Sequence, residues 1–120
     1  MTALALDLNA RIDAFVAHVN DKVSQHYARS FSQLTTPTHV AEKLSDKWTR
    51  INVVKNGRTS SVYCFICTKD GETKALGKVV AGDIHKAAGF KAPAKHSRGT
   101  VFSEDFNGCA DIYGVKYLRG

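Results

Sequence analysis

The dipeptide Asn56-Gly57 constrains this chain more than any other feature of it. Asn and Gly are the pair that best tolerates the positive φ values of a two-residue type I′ turn, whose twist matches that of paired strands. Before it runs Trp48-Thr-Arg-Ile-Asn-Val-Val-Lys55 and after it Arg58-Thr-Ser-Ser-Val-Tyr-Cys-Phe-Ile-Cys-Thr-Lys69. These β-branched and aromatic runs predict two antiparallel strands. A two-residue turn sets Lys55 opposite Arg58, and the register is then fixed: Ile51 opposite Val62 and Thr49 opposite Cys64 on one face, Arg50 opposite Tyr63 and Trp48 opposite Phe65 on the other. The first face is aliphatic and suits a core. Its reverse combines rings with a cation and suits unstacked bases.

Charge is placed unevenly around this hairpin. The 120 residues carry a net +6, yet residues 1–40 hold three charges of each sign. Residues 41–98 hold twelve basic and five acidic residues, and residues 99–120 hold two and three. The excess therefore sits on the hairpin and on the thirty residues C-terminal to it. A one-sided basic field favours polyanions, above all nucleic acid, or an acidic partner protein.

Ahead of the hairpin, residues 8–31 predict a long amphipathic helix. Ile12, Phe15, Val16, Val19, Val23 and Tyr27 recur at three- and four-residue steps, with Asp7 or Asn9 as N-cap and Arg11, Asp21, Lys22, Gln25 and Arg29 on the far side. Valine is a middling helix former, so the stripe needs a partner: the chain's own sheet, or the same helix of a second subunit in a homo-oligomer. His18 and His26 have no neighbours at ligand spacing. Pro37 disfavours helix in the residue before it. His39 to Leu44 fits a strand or a short helix, and Ser45-Asp46-Lys47 is a turn.

Beyond the hairpin, Thr73–Val80 fits a helix or a third strand, and Gly82–Gly89 a short strand entering a loop. Lys86, Lys91, Lys95, His96 and Arg98 then cluster in an expected basic loop, residues 86–99, with Phe90 inside it and Phe102 beyond. Cations there meet phosphates while rings meet bases. The C-terminal part reads as a loop, in which Glu104 and Asp105 are placed to pair with Arg98 or Lys95, and a closing strand from Asp111 to Leu118.

Cys64, Cys67 and Cys109 are odd in number, which predicts a reducing, intracellular setting. In a strand, Cys64 and Cys67 point to opposite faces, so their spacing does not make a metal pair. No phosphate-binding glycine loop, dinucleotide fingerprint, His-Glu-x-x-His or nucleophile elbow occurs. No run is apolar enough for a membrane span. Neither a catalytic nor a metal-binding residue is expected, and no cofactor.

From Gly82 onward the chain resembles small proteins encoded by bacteriophages. The likeness rests on Gly82-Asp-Ile-His-Lys-Ala-Ala-Gly-Phe-Lys-Ala-Pro-Ala-Lys-His-Ser-Arg-Gly-Thr-Val-Phe102 and Tyr113-Gly-Val-Lys-Tyr-Leu118, with Phe90 where a tryptophan is usual. More loosely it is similar to the early single-stranded DNA-binding proteins (Drc-like) of N4-like phages. That resemblance implies a role in early phage replication or transcription, in the host cytoplasm, with a host or phage polymerase as partner.

The expectation is one α+β domain: helix 8–31, then an antiparallel sheet of about four to five strands over residues 46–118. Its expected function is non-catalytic binding of nucleic acid, single-stranded DNA by preference. Lys47, Arg50, Lys55, Arg58, Lys86, Lys91, Lys95, His96 and Arg98 would meet phosphates, while Trp48, Tyr63, Phe65 and Phe90 would stack on bases. The rival reading is a phage-encoded interaction module docking on a host enzyme, or a minor virion component.

Overall fold

The structure is a computed structural model that describes residues 3–30, 36–74, 76–89 and 92–102. One helix, α1 (Ala3–Ser30), precedes seven strands. These are β1 (Thr38–Lys43), β2 (Trp48–Lys55), β3 (Arg58–Cys67), β4 (Gly71–Thr73), β5 (Gly77–Val79), β6 (Asp83–Ala87) and β7 (Pro93–Thr100). Five of them form one antiparallel sheet in the order β1-β2-β3-β6-β7, and β4 pairs with β5 in a separate two-stranded ribbon. The α+β class and the strand number agree with expectation.

Several boundaries move. The helix starts upstream of Asp7 and Asn9, so neither is its N-cap; Ala and Leu at residues 3–6 are strong helix formers and extend it. The sheet starts at Thr38, ahead of residue 46. Residues 73–80 contribute to the β4–β5 ribbon and not to a third meander strand. Most of the expected basic loop is strand: β6 covers Lys86, and β7 covers the backbone of Lys95, His96 and Arg98. Pro93 opens β7, where its missing N–H costs the ladder nothing. The expected closing strand and the acids Glu104 and Asp105 lie outside the described residues.

The turn is as the sequence demands. Asn56 and Gly57 have φ of 53° and 77°, and Lys55 pairs with Arg58. The register then departs from the expected one at two β-bulges on β3. Ser60 and Tyr63 are the positions that the pairing skips, so each adds one residue to β3. Beyond the second bulge Ile51 lies opposite Cys64, Arg50 opposite Phe65, Thr49 opposite Ile66 and Trp48 opposite Cys67.

The helix lies on one face of the sheet. Leu8, Ile12, Phe15, Val19 and Val23 are buried against Ile51, Tyr63, Cys64, Ile66, Ile84 and Val101. Each such side chain contributes roughly 1.5–3 kcal/mol on full burial. These five residues of the helix are therefore packed within the chain's own core, with Val16 and Tyr27 partly buried beside them. Arg11, expected in solvent, donates from Nε to the Val101 carbonyl at 2.7 Å and fixes the helix near the β7 end. At mid-helix, Asn20 grips the outer edge of β1: its Oδ1 accepts the His39 backbone N–H at 2.7 Å, and its Nδ2 donates to the His39 carbonyl at 3.1 Å. A side-chain amide thus blunts an edge that would otherwise offer free ladder groups.

Candidate nucleic-acid interface

The second face of the sheet is not the open stacking platform that the sequence suggested. Phe65 and Cys67 are fully buried there, and Asn52 and His85 nearly so. Arg50 faces Glu42 across β1 and β2, and its Nη2 donates to Glu42 Oε1 at 2.7 Å. Asn52 Nδ2 donates to the same oxygen at 2.8 Å. These hydrogen bonds, with the Arg50 charge, hold the Glu42 carboxyl below the usual range. Arg50 is thus a structural cation. Trp48 is half-buried and stands edge-on to Phe65 and His85, with centroids 6.4 and 5.3 Å away.

Tyr63 is buried as well, but on the helix side. As the residue that bulges out of register, it turns to Phe15, with ring centroids 6.2 Å apart, and to His39 at 5.0 Å. Of the rings expected to stack, Tyr63 and Phe65 therefore belong to the interior, and Phe90 lies outside the described residues with Lys91. Two extra residues on one strand leave the alternation of the core pairs intact, so the pattern itself did not reveal them.

The cations separate into groups. Lys47 and Trp48 sit at the end of the sheet away from the Asn56-Gly57 turn, where the Lys47 carbonyl accepts the Thr68 N–H at 2.6 Å. Lys55 and Arg58 flank the turn at the opposite end, both exposed together with Asn56, Gly57, Thr59, Ser60 and Ser61. β6 runs antiparallel to β3 from Ile84, opposite Ile66, so exposed Lys86 and the β6–β7 connection lie toward the turn end. The Ser60 hydroxyl donates to the Val53 carbonyl at 3.3 Å and ties the first bulge back across the hairpin.

The strands bring no acid to this end of the sheet. Residues 51–62 hold Lys55 and Arg58 with no Asp or Glu, and residues 84–98 hold four Lys and Arg with none. At the other end, Asp70 and Asp83 accept backbone N–H groups from Ala81 and Val80, and Glu72 is paired in register with Lys78. The helix also ends toward the turn, and Arg29 in its last turn offsets the negative end of its dipole.

Beside the basic tip lies a cleft of about 140 Å³, lined by Tyr27, Pro37, His39, Val53, Lys55, Ser61 and Tyr63. The imidazole of His39 approaches Asn20 Oδ1 at 3.0 Å, and burial lowers its pKa to about 4. Neither the cleft nor the Asn20 grip was read from the sequence. The one signal for the grip was an asparagine inside the apolar stripe, three residues before Val23.

Cys64 packs in the helix-side core, whereas the Cys67 thiol donates to the Lys69 carbonyl at 3.2 Å. Burial pushes the Cys67 thiol up, away from the thiolate that would act as nucleophile or ligand. Among the described residues no three of His, Cys, Asp and Glu converge on a metal site, and no helix is long and apolar enough to cross a membrane.

No curated protein and no solved structure matches the chain. A family model does match, over residues 5–112, which takes in most of the helix, the seven described strands and the basic tip: the chain belongs to the family of unknown function DUF7717.

Proposed function

We propose that this protein binds nucleic acid without catalysing a reaction on it, holding the sugar–phosphate backbone at the sheet end that carries Lys55 and Arg58. The observation that carries the reading is the exposed, acid-free hairpin tip. Two cations flank it, three hydroxyl residues come next, and the whole run from Lys55 to Ser61 faces solvent. Side-chain cations, hydroxyls and free backbone N–H groups are what phosphate oxygens accept from. With Tyr63 and Phe65 buried, neither lies open on the sheet surface as a stacking platform, and the reading relies on electrostatics for its affinity. The resemblance of Gly82–Phe102 to phage proteins supports a role in phage replication or transcription in the host cytoplasm. There Cys64 and Cys67, both buried, remain thiols.

A salt titration with fluorescent oligo-dT tests the reading. Affinity should fall steeply with salt, by about 0.7 log units per log unit of salt for each phosphate neutralised on a single strand. The double variant Lys55→Gln/Arg58→Gln should weaken binding and flatten the slope by roughly 1.4. Absence of binding at low salt, or a slope that the double variant leaves unchanged, removes the hairpin tip from the reading.

A further inference from the structure

We infer that the cleft beside the hairpin tip is a recognition pocket for a single pyrimidine base, extruded from the strand whose phosphates lie on Lys55 and Arg58. This deepens the nucleic-acid reading and rests on it. Size sets the ligand class. At about 140 Å³ the cleft compares with engineered cavities of about 150 Å³ that hold one benzene ring, so it has room for a six-membered heterocycle and not for a fused purine.

The lining supplies the chemistry. Tyr27 and Tyr63 bring aromatic surface to the lining, and Pro37 and Val53 apolar surface. Asn20 sets the polarity of His39. Because Asn20 Oδ1 already accepts the His39 backbone N–H at 2.7 Å, that atom is the amide oxygen, and His39 Nδ1 at 3.0 Å donates to it. The neutral ring then leaves Nε2 as a lone-pair acceptor. Burial keeps the ring neutral down to about pH 4. Lys55, in the same lining, brings a donor. An acceptor and a cationic donor in one small cleft match the edge of a pyrimidine, which presents a carbonyl oxygen beside an N–H of the ring or of its exocyclic amine. Paired bases in a duplex cannot enter, so the pocket also selects single strands.

The experiment uses the full chain with three fluorescent strands of equal length: oligo-dT, oligo-dA, and an abasic deoxyribose-phosphate strand. Oligo-dT should bind at least about tenfold more tightly than the abasic strand, a difference of about 1.4 kcal/mol, with oligo-dA near the abasic value. Filling the cleft from its exposed rim with Ser61→Phe should bring the ratio of dT to abasic affinity to one. Equal affinity for all three strands overturns the pocket and leaves phosphate binding standing. Should no strand bind, the nucleic-acid reading falls. The pocket is then decided by thymidine alone, tracked by NMR: shifts confined to His39, Tyr27 and Tyr63 support it, and unmoved resonances overturn it.

Discussion

His39 shows how one side chain is committed by its neighbours. Its backbone is clasped by Asn20, its ring stands edge-on to Tyr63 at 5.0 Å, and only 3% of it is exposed. Burial disfavours a charged imidazole in that site, so the folded pKa is depressed, from 6.5 to about 4. Between those values the unfolded chain binds more protons than the folded one, so stability rises with pH there and is lost as pH falls from 6.5 toward 4. The full effect is roughly 3 kcal/mol, at 1.36 kcal/mol for each pKa unit. Glu42 is depressed as well, but its contribution is lost only below its ordinary value of 4.5. Urea unfolding between pH 7 and about 5 isolates the histidine. The wild type should lose stability across that interval, and His39→Gln should show a smaller slope from a lower starting point. A wild-type profile that is flat over the interval rules the histidine out.

At the level of the elements, the β2–β3 hairpin shows what could be read in advance. Its turn was legible because a two-residue loop needs two positive φ values, and Asn56-Gly57 is the pair that supplies them cheaply. Its bulges were not. Ser60 lies in a polar Thr-Ser-Ser run with no alternation to break, and the rings of Tyr63 and Phe65 fit either face on paper. The helix stripe was legible from its period, whereas β1 was not, because its single buried side chain, His39, gives no alternating pattern. The cations of β7 suggested a loop since charge masks strand periodicity. The turn also yields a clean test. Gly57 has a φ of 77°, and a Cβ added there would meet nothing within 4 Å, so only backbone conformation resists substitution. Gly57→Ala should cost about 1 kcal/mol in urea unfolding, with oligo-dT affinity kept once the protein is folded. A loss of several kcal/mol would mean that the tip packs more tightly than its exposure indicates.

Taken whole, the molecule has two differently charged ends, and net charge alone would not distinguish them. Residues 69–83 contain Lys69, Lys74 and Lys78 against Asp70, Glu72 and Asp83, so the β4–β5 end is locally neutral. Among the described residues, the turn end has its cations without acids. Screening makes this difference decisive: at physiological salt the Debye length is about 8 Å, so a phosphate feels its nearest charges and little of the net +6. Removing two positive charges from the neutral end should therefore matter far less than removing two from the tip, although both changes lower the net charge equally. Lys74→Gln/Lys78→Gln, on exposed positions, should leave the oligo-dT affinity within about twofold and the salt slope within about 0.3 of wild type. If that pair instead weakens binding as much as Lys55→Gln/Arg58→Gln does, the protein attracts nucleic acid by its overall charge, and the hairpin tip has no special part in it.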